Sequence, residues 1–216
     1  MKSCFRKCSF CHLIGIAVSA HSCTKKNIKT RLYAKTLSIR LFLFYRKDVL
    51  TMKKVGIIMG SDSDLPVVRK AAEACKQFGV PFEMHVMSAH RSPAEAADFA
   101  RNARKNGFGV LIGAAGMAAH LAGALAGNTD LPVIALPVKA KALEGVDSLL
   151  SSVMMPPGVP VACVGIDCAA NAGYLAVQIL AVSDDELAAK FGAFKEEQHQ
   201  KNLEADRKMQ ETAKEI

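Results

Sequence analysis

Two short segments of this 216-residue chain carry residue types that can do chemistry. Ser88-Ala-His-Arg-Ser-Pro93 sets an imidazole that titrates near neutrality beside a guanidinium whose planar fork matches phosphate or carboxylate. Gly60-Ser-Asp-Ser-Asp64 lies between the apolar run Val55–Met59 and a stretch with apolar residues at helical spacing, so it reads as a turn from a parallel strand into a helix. Such a turn leaves backbone N–H groups unpaired at the positive end of a helix dipole, where phosphate binds. Gly60 lets the backbone approach an anion, and Ser61 and Ser63 add hydroxyl donors. An aspartate would repel phosphate at contact distance, so Asp64 suits ribose hydroxyls better. A helix N-cap is an equal reading of Asp64 and the stronger one for Asp62.

The elements that must hold these residues follow from the apolar pattern. Residues 81–87 read as a second strand, and Ser92-Pro93 followed by Ala94-Glu-Ala-Ala97 reads as a capped helix start with proline in first position. Ser88, Ala89, His90 and Arg91 then occupy the loop at that strand's carboxyl end, the edge where ligands bind in open parallel sheets. A lone loop histidine is ordinarily just solvated; sharing an edge with the first segment makes His90 a candidate base. Residues 109–115, 132–138 and 160–166 are further strands suited to burial on both faces, with helices expected to begin near Gly116, Val146 and Cys168. Strands and helices alternating in this way imply one parallel sheet. After Ser183-Asp-Asp-Glu186, an N-cap with acids in the first turn, a charged helix is expected from about Asp185 to Lys214, either as a solvated face or crossing a neighbouring subunit.

With Gly113-Ala-Ala-Gly-Met-Ala-Ala-His-Leu121, Leu131-Pro-Val-Ile134, Gly145-Val-Asp-Ser-Leu-Leu150, Met155-Pro-Pro-Gly-Val-Pro-Val161 and Asn171-Ala172, the two segments resemble the N5-carboxyaminoimidazole ribonucleotide mutase family of purine biosynthesis. Each motif is weak alone, but the ordered set, from about Lys53 to Leu187, is specific. The resemblance implies a doubly wound α/β three-layer sandwich with a central parallel sheet, flavodoxin-like, and a homo-octamer working without cofactor or metal. It also implies transfer of a carboxylate from the exocyclic nitrogen to C4 of the imidazole, with Ser61, Asp64 and Arg91 on the ribose phosphate and His90 at the reacting carbon. Gly113, Ala115 and Gly116, almost free of side chains, would let a flat ring lie against the backbone, and amides beyond them would hold the migrating carboxylate. Tight packing explains the small residues equally well, and His120 reads as a packed structural histidine rather than a second base. The chain departs from the commonest family pattern at Met117, Ala122 and Met154. A related class that carboxylates aminoimidazole ribonucleotide directly with CO2 tends to have lysine after the histidine, so Arg91 favours the mutase.

Half the residues are hydrophobic and 22% are charged, as in a globular domain with one sizeable core. The net charge of +8 is unevenly placed. Residues 1–51 hold eleven Lys and Arg against Asp48, for +10, and the remainder holds 17 basic and 19 acidic residues, for −2. The domain proper gives no support for a nucleic-acid surface, and no membrane partner is expected. Residues 1–51 are expected to lie outside the native fold, the product of a misplaced start, with a catalytic domain over 52–183 and the charged helix over 184–216. Cys4, Cys8 and Cys11 have the C-x3-C-x2-C spacing of an iron–sulfur site, but no strand precedes them and the metal reading is set aside. Cys75, Cys163 and Cys168, dispersed among apolar positions, suit a reducing cytoplasm. A flavodoxin-like electron carrier would need aromatic side chains to sandwich a flavin, and the chain has no Trp and three Tyr. A phospho-receiver would need an aspartate where Gly113 to Gly116 stand.

Overall fold

The computed structural model describes residues 52–216. The extension and its cysteine triplet lie outside the described residues. Five strands, β1 (Lys54–Met59), β2 (Phe82–Val86), β3 (Phe108–Gly116), β4 (Val133–Val138) and β5 (Ala162–Cys163), form one all-parallel sheet in the order β2-β1-β3-β4-β5. Six helices connect and follow them: α1 (Leu65–Gln77), α2 (Pro93–Asn102), α3 (Leu121–Ala126), α4 (Val146–Val153), α5 (Ala169–Ala181) and α6 (Asp185–Thr212). This is the doubly wound flavodoxin-like order, and the chain reverses direction across the sheet between β1 and β3.

The period of two in the strands explains why both faces are covered. Ile57 and Ile58 are neighbours in sequence and both fully buried, yet they belong to opposite layers. On one face Ile57, Val110, Ile112 and Leu136 pack on Val68, Ala71 and Cys75 of α1 and on Ala172, Ala176 and Val177 of α5. On the other, Ile58, Leu111 and Ala135 pack on Ala96 and Ala100 of α2 and on Leu121 and Leu125 of α3. Each of the Val, Leu and Ile side chains among these contributes roughly 1.5–3 kcal/mol by leaving water, and each alanine less. Small residues bring the layers close: a Cβ on Gly173 would stand 2.6 Å from the Ala71 carbonyl oxygen, and one on Gly113 would stand 2.8 Å from Ala122 Cα.

Helix α6 is capped by Asp184, whose side chain accepts from Leu187 N–H at 3.0 Å. Its first turns are seated by an aromatic cluster in which Phe78 stacks on Phe191 at 5.3 Å and meets Phe194 edge-on at 5.4 Å. From Lys195 onward every residue of the helix is exposed.

The expectations fail in two places. No helix begins near Gly116. β3 runs through that residue, Met117 takes a left-handed backbone (φ 55°), and α3 starts only at Leu121, so His120 is at its N-cap and not inside it. The fifth strand shrinks to two residues; Val164 N–H still reaches the Ala135 carbonyl at 3.1 Å, but the chain then turns through Asp167 at φ 57°. Among the described residues no helix is long and apolar enough to cross a membrane.

Candidate functional site

The loops at the carboxyl ends of β1, β2, β3 and β4 line an open cleft with a cavity volume of about 540 Å³. Its wall is built from Gly60, Ser61, Ser63 and Asp64, then Ser88, Ala89, His90 and Arg91, then the stretch Ala115–Ala118 with His120 and Leu121, and finally Val138, Lys139 and Ala140. Ten of the eleven residues singled out by sequence, all but Gly113, meet here. Gly113 is turned instead against α3, where it allows the close packing on Ala122.

The β1 loop is organised by its serines. Ser61 Oγ accepts from Ser63 N–H at 3.3 Å and from the Ser63 hydroxyl at 2.8 Å, capping the 3-10 turn Asp62–Asp64. Asp64 occupies the cap position of α1 without a side-chain capping bond, so neither aspartate acts as the N-cap that their spacing allowed. Burial holds the Asp64 carboxyl above its ordinary value, opposed by the Ser61 backbone and by the positive charge of Arg91. A half-buried carboxylate with no capping duty is available to accept hydrogen bonds from a ligand.

The β2 loop is a small hydrogen-bonded box. Ser88 N–H donates to Ser92 Oγ at 2.8 Å, and Ser88 Oγ accepts from the N–H groups of His90 (3.3 Å) and Arg91 (3.2 Å). Ser92 therefore braces this loop and makes no cap bond to α2, although Pro93 opens that helix as expected. Arg91 Nη2 donates to the Gly60 carbonyl at 2.5 Å, tying the β1 and β2 loops together. A smaller cavity of about 300 Å³ is lined by Asp62, Val86 and Ser92, with Gly60, Ser61, Ser88 and Arg91 shared. The His90 imidazole is exposed and has no hydrogen-bond partner among the described residues, which leaves both ring nitrogens available to a ligand.

His120 also lines the cavity, but its ring is committed. Nδ1 lies 3.1 Å from the Ser151 carbonyl, which requires the proton on Nδ1, and the ring packs where a Cβ on Gly123 would come within 2.5 Å. These contacts fit the structural reading of that residue.

Sequence reasoning missed the fourth wall, Val138 to Ala140. β4 lies beside β3, so its carboxyl end must border the same cleft; the signal was the Pro137-Val-Lys-Ala140 break at the end of an apolar run. It brings in a second cation, Lys139, whose ammonium pairs with Glu144. Among the described residues no group of three or more His, Cys, Asp or Glu could hold a metal ion.

Comparison with known proteins agrees with this architecture. The N5-carboxyaminoimidazole ribonucleotide mutase of Pyrococcus abyssi is 54% identical over 146 residues, 68% of this chain and 84% of that protein. The chloroplastic phosphoribosylaminoimidazole carboxylase of Vigna aconitifolia is 43% identical over 200 residues, 93% of this chain but 34% of that protein. The crystal structure of Treponema denticola PurE superposes with a TM-score of 0.65 at 30% identity, covering 72% of this chain and 98% of that one. The profile of AIR carboxylase matches residues 54–201, the whole sheet and every loop of the cavity, and the chain belongs to the AIR carboxylase family.

Proposed function

We infer that this chain is an isomerase of purine biosynthesis that converts N5-carboxyaminoimidazole ribonucleotide to 4-carboxy-5-aminoimidazole ribonucleotide. The observation that carries the reading is one cavity in which an unpartnered imidazole, a loop-tying arginine and a serine-rich phosphate turn meet, in a chain 54% identical to a protein with that name. Ser61, Ser63 and Arg91 hold the phosphate, and Asp64 accepts from the ribose. The N-carboxylate leaves as CO2, with His90 returning a proton to the departing nitrogen. The nucleophilic C4 attacks the retained CO2, and His90 then takes the C4 proton from the tetrahedral adduct. One proton shuttles and no net acid or base is consumed. Retention of CO2 requires that the pocket close over the bound nucleotide, and Ala115, Gly116 and Ala118 give the ring little side chain to clash with. The enzyme acts without a cofactor, in the cytoplasm, as a homo-octamer; light scattering on the full chain tests the last point against eight chains of 23.1 kDa, about 185 kDa.

The deciding experiment offers the carboxyamino nucleotide in labelled bicarbonate. Isomerisation with little label in the product is expected. A direct carboxylase would instead prefer aminoimidazole ribonucleotide plus bicarbonate by kcat/KM, and that result overturns the isomerase reading.

A further inference from the structure

Lys139 stands across the cavity from Arg91. Arg91 follows β2 and Lys139 follows β4, three strand spacings apart in the order β2-β1-β3-β4, about 14 Å at ~4.8 Å per spacing, with the loop after β3, Met117 to His120, between them. The position is constructed. Asp167 Oδ1 accepts from the Lys139 N–H at 2.9 Å while the Asp167 N–H donates to the Pro137 carbonyl at 2.9 Å, clamping the end of β4 from both sides of Val138. A Cβ on Gly145 would lie 3.2 Å from Lys139 Cα, so the returning chain closes directly over it. The ammonium is held by the Glu144 carboxylate, which keeps Lys139 above its ordinary value and so charged at neutral pH.

The backbone adds an independent observation. Three non-glycine residues among those described have a left-handed conformation: Glu144 (φ 55°), Asp167 (φ 57°) and Met117 (φ 55°). Aspartate visits this region with the help of local hydrogen bonds, but Glu144 and Met117 persist there where their surroundings impose it, and such strain gathers at functional sites. Here two of the three hold Lys139, one by the side chain and one by the backbone, and the third lines the cavity beside it. An exposed Lys–Glu pair contributes little to stability, which leaves the strained bracing unexplained by folding alone.

The substrate of the isomerase reading carries two anions, a phosphate at one end and a carboxylate on the imidazole at the other, before and after the shift. We propose that Lys139 binds the substrate's migrating carboxylate, exchanging its Glu144 partner for it, while the Arg91 end of the cavity holds the phosphate. The ammonium forms no covalent bond; it follows the carboxylate as it leaves the nitrogen and returns on carbon. This assignment rests on the function inferred above. The flexible four-carbon stem of lysine suits a group that must follow a moving partner.

The test is equilibrium binding of 4-carboxy-5-aminoimidazole ribonucleotide and of aminoimidazole ribonucleotide, which lacks the carboxylate, to the full chain and to Lys139→Met and Glu144→Gln. Interconversion during the measurement does no harm, since both isomers carry the carboxylate. The wild-type protein should prefer the carboxylated nucleotide. Lys139→Met should lose roughly tenfold or more of its affinity while the affinity for the decarboxylated one stays, as expected for removal of a charge-assisted hydrogen bond. Glu144→Gln, which frees the ammonium, should bind the carboxylated nucleotide at least as tightly as wild type. An unchanged preference in Lys139→Met, equal loss of both ligands, no preference in the wild type, or weaker carboxylated-nucleotide binding by Glu144→Gln overturns the assignment. A wild-type protein that binds neither nucleotide and does not isomerise overturns the function itself, a distinct outcome.

Discussion

At the residue scale the inferred chemistry rests on one imidazole. His90 is the exposed imidazole on the β1 and β2 loops, while the ring of His120 is spent on the Ser151 carbonyl. His90→Asn should therefore lower turnover by about 100-fold or more with nucleotide binding largely kept; loss of less than about tenfold in a steady-state assay would remove His90 from the proton-transfer role. Asp64 offers a second test, because its carboxyl is raised chiefly by burial. The folded state then disfavours the charged form, so this residue costs stability once pH rises above the ordinary carboxylate range, and the cost is complete above its raised value. Asp64→Asn should raise Tm at pH 7, by about 2–4 °C for each kcal/mol relieved. The gain should shrink toward zero as pH falls below the ordinary carboxylate range, and nucleotide affinity should fall throughout. A variant less stable than wild type at pH 7 would show that the hydrogen bonds to Asp64 outweigh its desolvation.

Among the elements, the site depends on how closely helices approach the sheet. The crossing of α1 and α5 at Gly173 holds the β1 loop from behind, since α1 begins where that loop ends. Gly173→Val would push a side chain into the Ala71 carbonyl, and overpacking of this kind costs about 1–3 kcal/mol. A drop in Tm of several degrees is expected by calorimetry, with kcat falling less than Tm alone would suggest if the loops stay in register. Cys75 lies in the same layer, fully buried, its thiol pushed up to about 11 by desolvation. Peptide mapping after brief alkylation at pH 8 should find exposed Cys168 modified and Cys75 intact; rapid modification of Cys75 would mean that α1 opens in the native protein.

For the whole molecule, charge divides the chain at Met52. Residues 1–51 carry +10 and the rest −2, and the cavity loops all lie after Met52. A chain beginning at Met52 is expected to fold and turn over like the full one, measured by kcat/KM and by assembly mass. The match to the Vigna protein covers 93% of this chain and so reaches upstream of Met52, which makes the comparison informative: lost activity would assign those residues a role. The stretch of α6 from Lys195 onward is exposed throughout. Its removal should leave Tm nearly unchanged while altering the assembly mass if it crosses a neighbouring subunit.

What the sequence determined by itself was local. The continuous apolar run Val55–Met59, glycine and serine at the strand end, and proline after Ser92 each act through nearest neighbours, so β1, β2, their loops and the long α6 were legible, and with them the placement of Ser61, Asp64, His90 and Arg91 at one sheet edge. Tertiary structure decided what long-range contact decides. Gly113 looked like a bare ligand wall and serves α3 packing, because only the fold shows Ala122 lying over it. The helix near Gly116 failed because β3 gains pairing with β4 through Gly116 and Val138, a benefit invisible along the chain. Lys139 was passed over because its significance comes from Glu144 and from Asp167, 28 positions away, which join it only when β4 and the turn after β5 lie side by side. Propensity and spacing act over a few residues, whereas strand order sets which loops share a cavity, and that order exists only in the folded sheet.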